Sequence, residues 1–369
     1  MIITVGQQKL RKAVGILERV AGRHLALPIL QNIILKTDHG RLRLAATNLE
    51  IGINCWIGAK VEEEGELALP ARVLSEFVNN IQDEKVLIST KENIATINAE
   101  NFKTQIIGFS AKEFPIIPKT QNEPSLTLPA ATWMDLFTSV IDAVSLSDAR
   151  PELAGVFLSF TDKTVETAAT DSFRLATRSL GRKNTPRKLE KEFENGLIIP
   201  RATVQELIRL LPDVEGELNM IVGDNQIFFT GHDVQVVSRL IDGRYPEFRR
   251  VIPEKTESVL IVKKNELEKN IKLGSIFSSS VSDIKIHADK DSLYILAQNS
   301  ARGEINAKMK AELSGEVFRV AVNYRYLLDG LKTINTPEVQ MEYAGNNGPL
   351  VLKPKTSNGL IYLIMPLRS

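Results

Sequence analysis

Cysteine is nearly absent from this chain. Cys55 stands alone in 369 residues, so no disulfide can form within it. That usage suits a reducing compartment, and a cytoplasmic location is expected. No apolar run approaches the roughly 18 residues that span a membrane. The opening Met1-Ile2-Ile3 is expected to lead straight into a polar-periodic helix rather than a signal peptide. An excess of one charge is lacking too. Lys and Arg number 46 against 45 Asp and Glu, a net charge of +1, which excludes a global basic field and an acidic tail. Histidine is scarce: His24, His39, His232 and His287 are scattered, none at metal-ligand spacing. No glycine-rich phosphate loop occurs, since Gly58, Gly65 and Gly108 are single glycines. Cys55 lies beside Trp56 in an apolar stretch and reads as a small buried hydrophobe rather than a nucleophile. Asp148, Asp171 and Asp242 invite a carboxylate cluster, yet turn and capping roles suit the last two better. No catalytic residue, metal or cofactor is expected.

What the chain does have is a threefold repeat, roughly 123 residues apart. Each copy opens with an apolar-periodic helix: Leu10-Ala13-Val14-Leu17, then Trp133-Leu136-Phe137-Val140, then Leu267 and Ile271. Each then reaches a short mark: Ala46-Thr47-Asn48, Ala169-Thr170-Asp171 and Ala297-Gln298-Asn299. A second helix follows an extended lead-in, with Leu74, Val204 and Leu327 four residues past Pro70, Pro200 and Asn323. Between the helices, period-two stretches such as Arg41–Leu44, Lys85–Ile88, Thr104–Ile107 and Ser292–Ile295 predict antiparallel strands. Turns are expected at His39-Gly40, Lys91-Glu92-Asn93, Gly223-Asp224-Asn225 and Lys290-Asp291. The fold class is α+β, each copy placing two helices on a face of antiparallel sheet. Pro- and Lys-rich segments after Phe114 and Tyr245 divide the chain into domains at 1–120, 125–253 and 254–369. The basic stretch Arg182–Lys191 reads as a solvated loop.

Several segments carry a family resemblance. Ala169-Thr170-Asp171-Ser172-Phe173-Arg174-Leu175-Ala176, Ile241–Pro253 and the terminal Met365-Pro366-Leu367-Arg368-Ser369 resemble the bacterial sliding clamp family, the β subunit of DNA polymerase III. Leu27-Pro28-Ile29-Leu30 with Asn32, and Leu69-Pro70-Ala71-Arg72, add further landmarks in the same order. The resemblance implies three clamp domains per chain and a head-to-tail homodimer closing a six-domain ring around duplex DNA. It implies no catalysis, but a processivity factor that is placed by a clamp loader and tethers polymerases and repair proteins through short peptide motifs. It places a partner-peptide pocket at Leu153, Thr170, Ser172, Phe173, Arg174, Leu175, Pro246, Val251, Leu363, Met365, Pro366, Leu367 and Arg368, where a rim arginine can orient a peptide backbone or carboxylate. It places the dimer contact at Thr104 and Ile106 against Ile276 and Phe277. Loop contacts with DNA fall at Arg23 and Arg150.

A sliding ring holds phosphates without reading bases, so helices facing the hole should carry Lys and Arg opposite their apolar stripes. Lys12 and Arg19 lie opposite Leu10-Val14-Leu17, and Arg72, Arg201 and Arg209 are assigned with them; Lys269, Lys272, Arg325 and Lys332 take comparable positions. Glu76, Asp135, Asp142, Glu206 and Asp329 share those faces, which keeps a competing reading open: a β-rich repeat scaffold that binds proteins without DNA. Three departures from the family pattern stand out. Pro151-Glu152 replaces residues that are often aromatic, Ser172-Phe173 replaces Gly-His, and Ser369 replaces a final Leu. Phe173 is larger than His and donates no hydrogen bond, so one subsite should be narrower or more apolar.

Overall fold

The computed structural model describes the chain except residues 23–26, 121, 148, 162, 182–195, 357–358 and 368–369. Arg23, Arg368, Asp148 and the stretch Arg182–Lys191 therefore lie outside the described residues.

One succession of elements, β-α-β-β-β-β-α-β-β-β, occurs three times among the described residues. The first copy runs β1 (Ile2–Gly6), α1 (Gln7–Val20), β2 (Asn32–Asp38), β3 (Arg41–Thr47), β4 (Ile51–Glu63), β5 (Glu66–Pro70), α2 (Ala71–Asn80), β6 (Lys85–Lys91), β7 (Ile94–Asn98) and β8 (Lys103–Ile107). The second runs β9 (Leu126–Pro129), α3 (Ala130–Thr138), β10 (Gly155–Phe160), β11 (Thr164–Thr170), β12 (Arg174–Gly181), β13 (Leu197–Pro200), α4 (Arg201–Leu210), β14 (Glu217–Val222), β15 (Gln226–Thr230) and β16 (Val234–Arg239). The third runs β17 (Ser258–Lys263), α5 (Lys264–Ser275), β18 (Asp283–Asp289), β19 (Ser292–Asn299), β20 (Gly303–Gly315), β21 (Phe318–Asn323), α6 (Tyr324–Thr333), β22 (Glu338–Tyr343), β23 (Leu350–Pro354) and β24 (Leu360–Ile364).

The α+β expectation holds, with two local corrections. The chain enters α1 through strand β1, whose Ile3 and Val5 are buried, because alternation already begins at Met1. Helix α3 stops at Thr138, so Val140 is buried just beyond it rather than on it. Each second helix starts directly from a strand, at Pro70, Pro200 and Asn323, and its anchor (Leu74, Val204 or Leu327) is fully buried.

Each of the three marks is a turn closed by a short side-chain acceptor, the third one residue longer than the first two. Asn48 Oδ1 accepts the N–H groups of Glu50 and Ile51. Asp171 Oδ1 accepts those of Phe173 and Arg174, and Asn299 Oδ1 that of Ala301. A short side-chain acceptor reverses the chain there by standing in for a backbone carbonyl. Asp171 is thus a turn former, as its place in the repeat suggested.

Contacts divide the chain into two compact units, Met1–Trp133 with Glu206–Leu240, and Met134–Gln205 with Ile241–Ser369. Each holds one 12-stranded antiparallel sheet, and the middle copy contributes four strands to each. In the first unit the order is β8-β7-β6-β1-β4-β16-β15-β14-β9, and β4 also carries β3, β2 and β5. In the second it is β13-β10-β11-β12-β24-β23-β22-β17-β20-β19-β18-β21.

One junction is built twice. In the first unit β16 adds to β4 with Ile51 opposite Ser238, and Arg239 N–H donates to Glu50 O at 3.0 Å. In the second, β24 adds to β12 with Arg174 opposite Ile364, and Met365 N–H donates to Phe173 O at 2.8 Å. The last strand of one copy thus extends the third strand after the first helix of the preceding copy.

Candidate functional site

The second junction gathers the residues expected in the partner pocket. Cross-strand pairing sets Leu175 opposite Leu363, and both enter one buried cluster with Leu153, Phe157, Tyr245 and Phe248. Phe157 stacks on Tyr245 at 4.9 Å between ring centroids. Apolar side chains nevertheless remain in water around this floor: Phe173 is 61% exposed, Val251 51% and Met365 38%. Pro246, Pro366 and Leu367 are half-buried. Exposed apolar side chains clustered around a buried apolar floor are the pattern that marks interaction surfaces in general.

Local hydrogen bonds hold this surface in shape. Thr170 Oγ1 donates to Arg174 O at 2.6 Å and accepts Ser172 N–H at 3.1 Å, while Ser172 takes φ 79° at the turn. Arg150 donates to Ser172 Oγ at 3.4 Å and pairs with Glu152 at 2.9 Å. The segment leading to Leu367 is tied down, because Leu367 N–H donates to Ala321 O at 2.8 Å.

Arg174 does not stand at the rim of this surface. It is buried, and its guanidinium reaches Asp171 at 2.9 Å, Asp329 at 2.7 Å and the Tyr362 hydroxyl at 3.3 Å. It also lies 4.5 Å from the ring centroid of Tyr326. Burial pulls its pKa down, but Tyr362, Asp329 and Asp171 outweigh that and leave it above its ordinary value. Arg174 therefore positions the turn that presents Phe173, and it ties β12 to α6. Sequence reasoning missed the aromatic floor of Phe157, Tyr245 and Phe248 and the partners Asp329 and Tyr362. The signal for the floor was present in Tyr245-Pro246-Glu247-Phe248, already a landmark.

The candidate DNA contacts are exposed but engaged. Lys12 pairs with Asp213 at 3.1 Å, Arg19 with Glu206 at 3.3 Å and Arg72 with Glu76 at 2.8 Å. Arg209 pairs with Glu206 as well, whereas Arg201 is half-buried. Exposed ion pairs are weak and salt-screened, so these carboxylates compete with phosphates rather than forbid them.

Residues 1–118, 127–247 and 249–368 match, in order, the N-terminal, central and C-terminal domains of the DNA polymerase III beta subunit. The chain belongs to the DNA polymerase III beta subunit family. The beta sliding clamp of Synechococcus elongatus is 29% identical, covering 100% of this chain and 99% of that protein. That of Staphylococcus aureus is 28% identical over 93% of each. The solved sliding clamp of Pseudomonas aeruginosa bound to griselimycin superposes with a TM-score of 0.92 at 25% identity over 100% of both chains.

The candidate dimer residues of this beta subunit family member sit at strand edges. Thr104 and Ile106 lie on β8, the terminal strand of its sheet, with Ile106 buried and the neighbouring Ile107 74% exposed. Ile276, 53% exposed, follows α5, and its carbonyl accepts Arg302 Nη1–H at 3.2 Å. The Phe277 ring lies 3.8 Å from where a Cβ on Gly303 would stand. Ile276 and Phe277 therefore flank the start of β20. Cys55 is buried, and desolvation first, then the Asp233 charge, pushes its thiol up to about 12. It stays protonated and unreactive at neutral pH.

Proposed function

We propose that two copies of this chain close head-to-tail into a ring of six domains around duplex DNA, and that the apolar surface around Leu175 and Leu363 receives partner peptides. As a member of its family the chain is a DNA sliding clamp, a non-catalytic processivity factor for DNA replication. The domain limits proposed are 1–120, 125–253 and 254–369, and the partners proposed are a clamp loader, polymerases and repair proteins in the cytoplasm.

One observation carries the ring. The junctions of β16 on β4 and β24 on β12 leave one strand of each kind unused. Strand β8 ends its sheet, and residues 303–310 of β20 pair with β19 on one side and with no other strand among the described residues. Each is the complement the other lacks. A second copy supplies it, and two copies satisfy every junction without leaving a growing end.

Equivalent hydrogen bonds support one register for this contact. Phe109, Ile241 and Leu367 N–H donate to Ala68, Ile198 and Ala321 O. Three residues earlier stand Ile106, Ser238 and Ile364. Within the hairpins Thr47 faces Gly52, Thr170 faces Leu175 and Gln298 faces Glu304, which aligns Ile51, Arg174 and Gly303. Ile106 therefore faces the second copy's Gly303 and Gln105 its Glu304, beside the second copy's Ile276 and Phe277.

Two outcomes test this reading. Protein placed on nicked circular DNA by a clamp loader is expected to remain bound and to be lost after one linearising cut. Equal retention on both forms would mean ordinary affinity and no ring. For the partner surface, Met365→Ala with Leu367→Ala is expected to weaken a partner peptide by about 2 kcal/mol, roughly thirtyfold, with the dimer mass unchanged. An unchanged peptide Kd in fluorescence anisotropy would remove these residues from the site.

A further inference from the structure

We propose that the serine-lined cleft between the α5–β18 loop and the start of α6 is a phosphate site. It has a volume of about 470 Å³ and is framed by Ser278, Ser280, Ser282, Arg302, Tyr324 and Arg325. Among the described residues no carboxylate lines it. The neighbouring Asp283 is occupied by Ser279 N–H at 3.1 Å.

Its cations differ from most of the other candidate DNA contacts. Lys12, Arg19, Arg72 and Arg209 each hold a carboxylate, whereas neither Arg302 nor Arg325 forms an ion pair among the described residues. Arg325 stands two residues past Asn323 as Arg72 stands two past Pro70. Arg72 is neutralised by Glu76, one turn on. The matching carboxylate in the third copy, Asp329, is committed to Arg174 and Lys332. Arg325 is thereby left lining the cleft, its guanidinium bonded among the described residues to the Tyr324 hydroxyl alone, at 3.5 Å.

Arg302 spends one N–H on the Ile276 carbonyl, which anchors its base and leaves the rest of the guanidinium fork for a ligand. The walls are held in advance. Ser278 Oγ donates to Ser275 O at 2.8 Å, Asn299 Nδ2 to Ser278 O at 3.1 Å, and Tyr324 N–H to Ser282 O at 2.9 Å. Two unneutralised guanidiniums with hydroxyl donors and no acidic competitor select a tetrahedral oxyanion bearing several acceptors. The loop also occupies the chain position, between the first helix and the next strand of its copy, that holds Arg150 in the second copy.

This inference rests on the DNA-encircling reading for one source of the phosphate, the duplex backbone; inorganic phosphate is the other. The test compares wild type with Arg302→Gln/Arg325→Gln, both confirmed as dimers by mass. In binding to a short linear duplex, the slope of log K against log salt is expected to fall by about 0.9 for each phosphate that the variant no longer neutralises. Arg325→Lys should keep most of its share, because the charge remains. An unmoved slope, with phosphorus NMR showing inorganic phosphate bound by wild type and not by the double variant, identifies the free ion as the source. No difference in either measurement overturns the site. Wild-type retention on circular DNA separates that failure from failure of the ring.

Discussion

Replacing Arg174 with alanine is expected to destabilise the second unit by about 3–5 kcal/mol, the range for breaking a buried ion pair by removing one partner. The cost arises from what is left behind. Asp171 and Asp329 lose the guanidinium at 2.9 and 2.7 Å, and the Tyr362 hydroxyl, buried, loses its donor at 3.3 Å. Asp329 retains Lys332 at 2.7 Å, which limits the penalty on that side. Among the described residues Asp171 retains only the backbone donors of its own turn, so its charge stays poorly compensated. The turn presents Phe173, so peptide affinity should fall together with stability although Arg174 itself is not exposed. Urea titration followed by far-ultraviolet circular dichroism measures the first effect, and anisotropy with a labelled partner peptide the second. A loss under about 1 kcal/mol would show that Arg174 stabilises no more than a surface pair does.

The burial of Arg174 shows where sequence reasoning stops. An arginine between Phe173 and Leu175 looks like the charged edge of an apolar pocket. Its burial depends on Asp329 and Tyr362, which lie 155 and 188 positions away. Local chemistry was legible: the Asx turns at Asn48, Asp171 and Asn299 need only a short acceptor and its next neighbours. Helix starts after Pro70, Pro200 and Asn323 were legible for the same reason. Long-range pairing was not. Lys12 and Asp213 are 201 positions apart, and nothing near Lys12 announces that its charge is engaged. The threefold repeat could be read from spacing. That the middle copy divides its strands between two sheets could not, because sheet extension is decided by edges and not by the residues within a strand. Leu175 and Leu363 fell between these cases. Alternation placed them on a strand face, and only the cross-strand pairing identified them as floor and not wall.

Gln105→Pro is expected to abolish the dimer while leaving the chain folded. Gly108 N–H turns inward to Asn93 O, and Phe109 N–H turns the other way to Ala68 O. Alternation along β8 then points the N–H groups of Gln105 and Ile107 outward, away from β7. Proline is tolerated on an edge strand where its missing N–H would have faced solvent, so the β7–β8 ladder survives. In the ring, however, Gln105 would be the hydrogen-bonded partner of Glu304 in the second copy, as Val237 is opposite Gly52 at the first junction. Removing the donor leaves a carbonyl of that strand unsatisfied, at a cost of about 2 kcal/mol. The ring contains this junction twice, so dimerisation loses about 4 kcal/mol, roughly a thousandfold in Kd. Sedimentation should show monomers at concentrations where wild type is dimeric, and retention on circular DNA should vanish with them. Thr104→Pro is the counterpart. Its N–H faces Ile97 within the chain's own sheet, so that change should unfold β8 rather than merely expose it. A Gln105→Pro chain that remains dimeric would show that β8 does not meet β20, because any strand paired along the free edge of β8 would meet the Gln105 N–H.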